Sequence, residues 1–121
     1  MDEIVEKALL KSIQKWVNII YNDGEDEGVT NCPLCKMFHS SGDIYYCDNC
    51  PMRNKYGKFC GEVYRDWQRH QDFRHNFSGK VECHICKKYA KRFLNQLIRL
   101  YPKQRNFTKW KEHEWKKARK P

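Results

Sequence analysis

Apolar residues recur every three or four positions in two segments of the chain, and the first is residues 3–21. Its apolar positions are Ile4, Val5, Ala8, Leu9, Ile13, Trp16, Val17 and Ile20. This period predicts an amphipathic helix with Asp2 as a candidate N-cap, ended by the turn-forming run NDGEDEG. We expect its apolar face to cover the core of its own domain, and a groove on a partner protein is the alternative.

The second periodic segment is residues 81–101, where apolar residues fall at spacings of four. They are Ile85, Tyr89, Phe93, Leu97 and Tyr101, with Leu94 and Ile98 beside them. The pattern predicts a second amphipathic helix, which Pro102 ends. Its opposite side carries five cations, Lys87, Lys88, Lys91, Arg92 and Arg99.

The remaining segments have weaker periodicity. Proline and glycine interrupt residues 30–61, so a mostly irregular segment is expected there, with a short strand at 43–47. The pattern of residues 62–73 predicts a short helix that places Val63 and Trp67 on one face, with His70 as a third candidate for that face. Residues 102–121 form a basic tail, in which Asn106 could cap a last short helix.

Length and composition favour one small domain inside the cell. The chain has 121 residues, of which 32% are charged, and no run of 18 apolar residues that would predict a membrane span. The first residues are acidic, unlike a secretory signal, so an intracellular, cytoplasmic location is expected. The seven cysteines are then expected to be thiols and not disulfides.

The net charge of +9 is unevenly distributed. Residues 1–31 carry three Lys against seven acids, residues 32–101 thirteen Lys and Arg against six, and residues 102–121 eight against two. A basic body with a basic tail predicts contact with nucleic acid or an acidic protein, although a solvated surface gives the same composition.

Four thiols stand in two C-x-x-C pairs, Cys32 with Cys35 and Cys47 with Cys50. Each turn places two sulfurs on one side, and two facing turns supply the four soft ligands of a tetrahedral zinc site. An iron–sulfur cluster is the less favoured alternative. The predicted fold class is therefore a small, mainly α domain with an irregular, zinc-stabilised, cysteine-rich segment.

Three further thiols leave the number of metal sites open. Cys60 could join the first site or be a buried apolar side chain. Cys83 and Cys86 could complete that site with Cys32 and Cys35, or form a second site with Cys60 and one histidine. The candidate histidines are His70, His75 and His84, of which His70 and His75 are preferred.

The segments GVTNCPLCKMF, CDNCPM and FCGEVYRDW resemble those of small cysteine-rich proteins found among bacteriophages and bacteria. The resemblance covers residues 8–67 and rests on Ser12, Trp16, Cys32, Pro33, Cys35, Cys47, Cys50, Pro51, Cys60 and Trp67. It implies that the five thiols up to Cys60 supply the ligands of the main site. It implies no activity, and it favours a phage-like accessory protein. This chain departs from the pattern by adding Cys83 and Cys86.

Three functions compete at this point. The favoured one is a zinc-stabilised binding module, without enzymatic activity, that contacts a polyanion through the basic helix face and tail. The second is a protein-interaction module directed at a host protein. The third is an HNH-like nuclease, because RHQDFRHNFSGKVECHIC places His70, Asp72 and His75 before a C-x-x-C pair. This stretch lacks a doubled catalytic pair, and Lys87 stands where such enzymes carry Asn.

Overall fold

The computed structural model describes residues 3–27, 32–34, 50–57 and 60–101. They form four main helices: α1 Glu3–Tyr21, α2 Pro51–Tyr56, α3 Glu62–Arg74 and α4 His84–Leu100. No strand occurs in these ranges, so the protein is mainly helical there. The predicted strand at 43–47, the thiols of Cys35 and Cys47, and the tail 102–121 lie outside the described residues. No described helix is long and apolar enough to cross a membrane.

Helices α1 and α3 agree closely with the periodicity, whereas α2 was not foreseen. Within the segment 30–61, which the sequence predicts to be mostly irregular, α2 is a regular helix of six residues, and Pro51 occupies its first turn without interrupting it. Proline suits this position because its fixed φ matches the helix and its missing N–H has no partner there. Gly57, with φ 100°, ends the helix.

The core lies where α1, α3 and α4 meet around Trp16. Its indole is 2% exposed and makes edge-to-face contacts with three aromatic rings. The ring centroids lie 6.0 Å away for Tyr64, 5.2 Å for Trp67 and 4.9 Å for Phe93. Such pairs contribute about 0.5–1.5 kcal/mol each beyond the burial of their area. The apolar face of α1 therefore covers the core of its own fold.

Asp26, in the segment after α1, joins this core to two helices. Its side chain is 5% exposed, and its Oδ1 accepts a hydrogen bond from Lys15 Nζ at 2.8 Å. Oδ2 accepts one from Tyr64 Oη at 2.8 Å and one from Trp67 Nε1 at 3.0 Å. The buried carboxylate thus has a counter-charge and two further donors, which a buried ion needs to offset its desolvation.

The apolar face of α4 differs from the predicted one at its start. The predicted range begins at residue 81, but α4 begins at His84, with Cys83 as its N-cap. Its buried residues are Cys86, Ala90, Phe93, Leu94 and Leu97. Ile85 was expected on this face and is instead 39% exposed. A spacing of four residues drifts by about 40° per step around a helix, so Ile85 falls beside the buried face whereas Cys86 points into it.

Candidate metal centre

Four side chains from the α3–α4 junction converge within a few ångströms. His70 lies on α3, His75 is the C-cap residue of that helix, and Cys83 is the N-cap residue of α4, whose first turn carries Cys86. The ligand atoms of the four residues all lie within 4.8 Å of one another. The end of one helix and the start of the next therefore supply two imidazoles and two thiols to a single point.

Four of the six separations between these atoms are close to the edges of a metal-centred tetrahedron. The His70 and His75 Nε2 atoms are 3.1 Å apart, and the Sγ atoms of Cys83 and Cys86 are 3.6 Å apart. Cys83 Sγ lies 3.3 Å from Nε2 of His70 and 3.4 Å from Nε2 of His75. Metal–sulfur bonds of about 2.3 Å and metal–nitrogen bonds of about 2.0 Å would require edges of about 3.3–3.8 Å. The Cys86 sulfur lies within 4.8 Å of both imidazoles, so the group could hold a metal ion.

The electrostatics around Cys83 favour its thiolate form. The backbone N–H of Cys86 donates a hydrogen bond to the Cys83 sulfur, and the His70 and His75 rings lie beside it. Together they lower the pKa of Cys83 to about 6 from an ordinary 9.0, against an opposing effect of burial. Burial raises the pKa of Cys86. A thiolate is the form that ligates metals, so Cys83 is prepared for that role at neutral pH.

The side-chain amide of Gln71 supports the group from inside the fold. It is 3% exposed, and its Nε2 donates to Cys86 Sγ at 3.2 Å and to the Lys80 carbonyl at 2.9 Å. Its Oε1 accepts a hydrogen bond from the Gly79 backbone N–H at 3.0 Å. All of these contacts orient Cys86 and the preceding loop, which is the task of residues that surround metal ligands.

A tight turn follows His75 at the end of α3. The backbone N–H groups of His75 and Phe77 both donate to the Gln71 carbonyl, at 3.1 and 3.0 Å. Asn76 and Phe77 have φ of 52° and 61°, so two consecutive residues with side chains adopt the left-handed region. This turn redirects the chain after His75, and the thiols of Cys83 and Cys86 come to lie beside the two histidines.

The same junction is attached to the segment after α1. The backbone N–H of Asp26 donates a hydrogen bond of 2.8 Å to the carbonyl of Gly79, whose φ is 71°. A Cβ at this position would collide with the Asp26 carbonyl oxygen. Glycine is therefore required both by its φ and by the close approach of two backbones. The loop that carries the thiols is held at its N-terminal side by this contact.

The ligand set differs from the expected second site of Cys60, Cys83, Cys86 and one histidine. Both preferred histidines belong to the group, and Cys60 does not. His84 is exposed and lies outside it as well. From the sequence, His70 and His75 are alternatives, because three thiols leave one position of a tetrahedral site for a histidine. The structure instead brings both rings together: His75, the C-cap residue, has φ −131° and ψ 17°, outside the helical region, and its Nε2 lies 3.1 Å from that of His70.

The other described thiols lie elsewhere. Cys50 is 1% exposed, and Cys32 and Cys60 pack against the core. Cys60 and Cys32 also lie close enough to Tyr64 for their charges to affect its pKa. Tyr64 is six residues before His70 on α3, about 9 Å along the helix axis. The expected first site, with Cys35 and Cys47, involves residues outside the described ranges.

The five cations expected on one face of α4 do not share one environment. Lys88, Arg92 and Arg99 are exposed, whereas Lys87 and Lys91 are half-buried. The ammonium group of Lys87 lies 5.5 Å from the ring centroid of Tyr21 on α1. Steps of four and seven residues place the three exposed cations within about 40° of one another around the helix axis. They form a narrow basic stripe on a helix that contains no acidic residue.

No family model, curated protein or solved structure matches this chain. The resemblance to small cysteine-rich phage and bacterial proteins therefore stays an expectation. The conclusions that follow rest on the geometry of the α3–α4 junction and the charges around it.

Proposed function

We propose that the protein is a zinc-stabilised, non-enzymatic module that binds nucleic acid. The observation that carries the proposal is the convergence of His70, His75, Cys83 and Cys86 at the α3–α4 junction. Two nitrogen and two sulfur ligands in a tetrahedron are typical of structural zinc. In such a site all four positions are filled by protein, so no open position remains for a substrate.

The placement of the group supports a structural role for the zinc. A metal there would fasten the last turns of α3 to the first turn of α4, which are otherwise joined by nine irregular residues, 75–83. With all four side chains acting as ligands, neither His70 nor His75 is left to act as the catalytic base of an HNH-like nuclease. The metal would then stabilise a binding surface and would take no part in a reaction.

The basic stripe of Lys88, Arg92 and Arg99 supports nucleic acid as the partner. Its side chains make no ion pair with any described residue, so their charge is not neutralised within that part of the protein. The stripe faces away from the buried side of α4, where Ala90 and Leu97 lie. Cations spaced along one helix face fit the phosphates of a backbone and give little base selectivity.

Two measurements test this proposal. Elemental analysis of protein purified without added metal is expected to find zinc, and iron with visible absorbance would overturn the choice of metal. Fluorescence anisotropy with a labelled oligonucleotide is expected to detect binding that weakens as salt rises, since phosphate contacts release counterions. Absence of binding at low salt would overturn the choice of partner and favour an acidic protein.

A charge-matched pair of variants locates the contact. Lys88→Glu/Arg92→Glu is expected to flatten the log–log salt slope by about two units, one for each lost phosphate contact. Lys7→Glu/Lys11→Glu changes the net charge equally, at exposed positions with the same spacing on α1. If the α1 variant weakens binding as much as the α4 variant, net charge alone drives the association and the stripe has no special role.

A further inference from the structure

Two phenylalanines at the α3–α4 junction are unusually exposed. Phe73, in the last turn of α3, is 85% exposed, and Phe77, in the turn after it, is 72% exposed. Leaving two neighbouring aromatic rings in water forgoes the burial that stabilises such side chains elsewhere in the fold. These are the two most exposed large apolar residues in the described part of the chain.

The backbone conformation of Phe77 adds a second, independent cost. Its φ of 61° lies in the left-handed region, which is unfavourable for a residue with a bulky side chain. Three hydrogen bonds hold the turn: the Phe77 N–H to the Gln71 carbonyl, the Ser78 N–H to the His75 carbonyl, and the Gly79 N–H to Gln71 Oε1. Backbone strain of this kind concentrates at functional sites, where the surrounding structure maintains it.

The surroundings of the two rings are polar and carry charges of both signs. Arg69 lies one helical turn before Phe73 and is exposed, as are Arg74 and Lys80, and exposed Asp72 and Glu82 lie in the same stretch. Beside Phe77 opens a cleft of about 160 Å³, whose lining includes Gln68 and Asp72. Amide and carboxylate groups form hydrogen bonds with base edges, and guanidinium groups bind phosphates. The junction thus combines ring faces, base-edge partners and arginines that can contact phosphates.

We propose that Phe73 and Phe77 form a stacking platform for unpaired nucleobases, so that the protein prefers single-stranded over double-stranded nucleic acid. This inference rests on the proposed function and specifies its ligand. Exposed aromatic side chains that stack bases, combined with cations that contact the backbone, are the recurring means of holding single strands, because every base offers a π-face. The basic stripe of α4 would supply the backbone contacts. Bases inside a duplex are already stacked on each other and could not cover the two rings.

The position of Phe77 links the platform to the metal centre. Phe77 follows His75 by two residues, and the Gln71 carbonyl accepts hydrogen bonds from both of their N–H groups. A metal ion bound through His75 would fix the turn that holds the ring outward. The zinc would therefore stabilise the surface that stacks the bases.

The test compares a labelled single strand of about 12 nucleotides, within the range that single-strand binding sites cover, with a duplex of the same sequence. The zinc-loaded full chain is expected to bind the single strand more tightly. Phe73→Ala/Phe77→Asn is expected to lose single-strand affinity by about 5- to 100-fold per stacked base, with an unchanged salt slope. Ile4→Ala is the control, because Ile4 is 65% exposed on α1 and far from the junction in sequence.

A stability measurement separates a binding role of Phe77 from a structural one. Asparagine tolerates the left-handed region, so Phe77→Asn is expected to retain or raise the Tm while it weakens binding. A marked fall in Tm would show that the ring supports the fold and would overturn the inference.

The failures of the two proposals are distinguishable. If the wild type binds neither form of the oligonucleotide, the proposed function fails and the stacking platform fails with it. If the wild type binds and the duplex competes equally, or if the double variant keeps full single-strand affinity, only the stacking platform is overturned. Loss of affinity in both the Phe and the Ile4 variants would likewise count against it.

Discussion

The amide nitrogen of Gln71 lies 3.2 Å from the Sγ atom of Cys86, and both residues are fully or nearly buried. The same amide group accepts a hydrogen bond from the backbone N–H of Gly79 and donates one to the backbone carbonyl of Lys80. One side chain thus contacts both the fully buried Cys86 thiol and the loop that leads to it. A donor aimed at a ligating sulfur stabilises the negative charge that the sulfur carries when it binds a metal.

Replacement of Gln71 by leucine is expected to weaken the metal centre and the fold together. The change keeps the volume but leaves the Gly79 N–H and the Lys80 carbonyl without their partners. Each buried unsatisfied group costs about 1–3 kcal/mol, and loss of a partner around the ligands lowers metal affinity by about 10- to 100-fold. Chemical unfolding and competition with a chromogenic chelator measure the two effects.

The matched control for that change is Gln14→Leu on α1, where the side chain is exposed. It is expected to alter the free energy of unfolding by less than about 0.5 kcal/mol. Equal metal affinity of Gln71→Leu and the wild type would show that the amide positions the loop only and does not act on Cys86.

Metal counts are expected to separate the α3–α4 centre from the first cysteine site. Cys83→Ala removes the sulfur that lies within 3.6 Å of the other three ligand atoms, so one metal per chain should be lost. Cys32 lies outside this group, so Cys32→Ser should leave the metal of the α3–α4 centre in place. The measurement is elemental analysis per chain on both variants and on the wild type.

The outcome also decides how many sites the chain has. A wild type with two metals, of which each variant loses a different one, supports two independent centres. If each of the two substitutions abolishes all metal, the thiols share one site. Retention of the full metal content by Cys83→Ala contradicts the role assigned to the thiol.

The helices were predictable because their periodicity is local, whereas the contacts that join them were not. The spacing of Ile13, Trp16 and Ile20 already indicates the buried face of α1. No local pattern distinguishes Asp26 from the other acids of NDGEDEG. Its partners Tyr64 and Trp67 are 38 and 41 residues away, so only the folded chain reveals why this acid is buried.

The residue types that could bind a metal, cysteine and histidine, were predictable from the sequence, but the set of four that comes together was predictable only in part. The C-x-x-C spacing of Cys83 and Cys86 points to one side of a helix start, where the structure places both. The choice between His70 and His75 depended on the backbone between them. His75 leaves the helical conformation, at φ −131° and ψ 17°, and no residue between the two histidines signals this departure in the sequence.

Asp26→Asn is expected to destabilise the protein by about 3–5 kcal/mol, because it leaves the Lys15 ammonium group without its counter-charge. That lysine side chain is 12% exposed, so water solvates it poorly. The amide would also present N–H donors to a site that already contains two donors, the O–H of Tyr64 and the Nε1–H of Trp67. Urea unfolding monitored by tryptophan fluorescence reports the change, since two indoles lie beside the carboxylate or its partners.

Two comparisons show whether the charge pair is the cause. Asp23→Asn is a neutral control, because Asp23 is exposed and its φ of 57° suits asparagine. Lys15→Met/Asp26→Asn removes both charges and should recover part of the lost stability. No recovery in the double variant would assign the loss to the hydrogen bonds of Tyr64 and Trp67 and not to the lysine.

The same cluster predicts a loss of stability at alkaline pH. Burial, and then the charge of Asp26 and the hydrogen bond to it, raise the pKa of Tyr64 well above its ordinary 10.0. The folded protein therefore keeps the phenol proton that the unfolded chain releases above pH 10. This contribution to stability is complete below pH 10 and is lost as the pH rises toward the folded pKa. The free energy of unfolding is expected to fall by about 1.4 kcal/mol from this cause by pH 11.

Tyr64→Phe is expected to be less stable than the wild type by about 1.5–3 kcal/mol near neutral pH, because Asp26 loses a donor. Between about pH 8 and pH 11, however, the variant is expected to lose less stability than the wild type. The six other tyrosines are common to both proteins, so their effect cancels in the difference between two urea titrations. Parallel alkaline losses in the two proteins would show that Tyr64 does not keep its proton in the folded state.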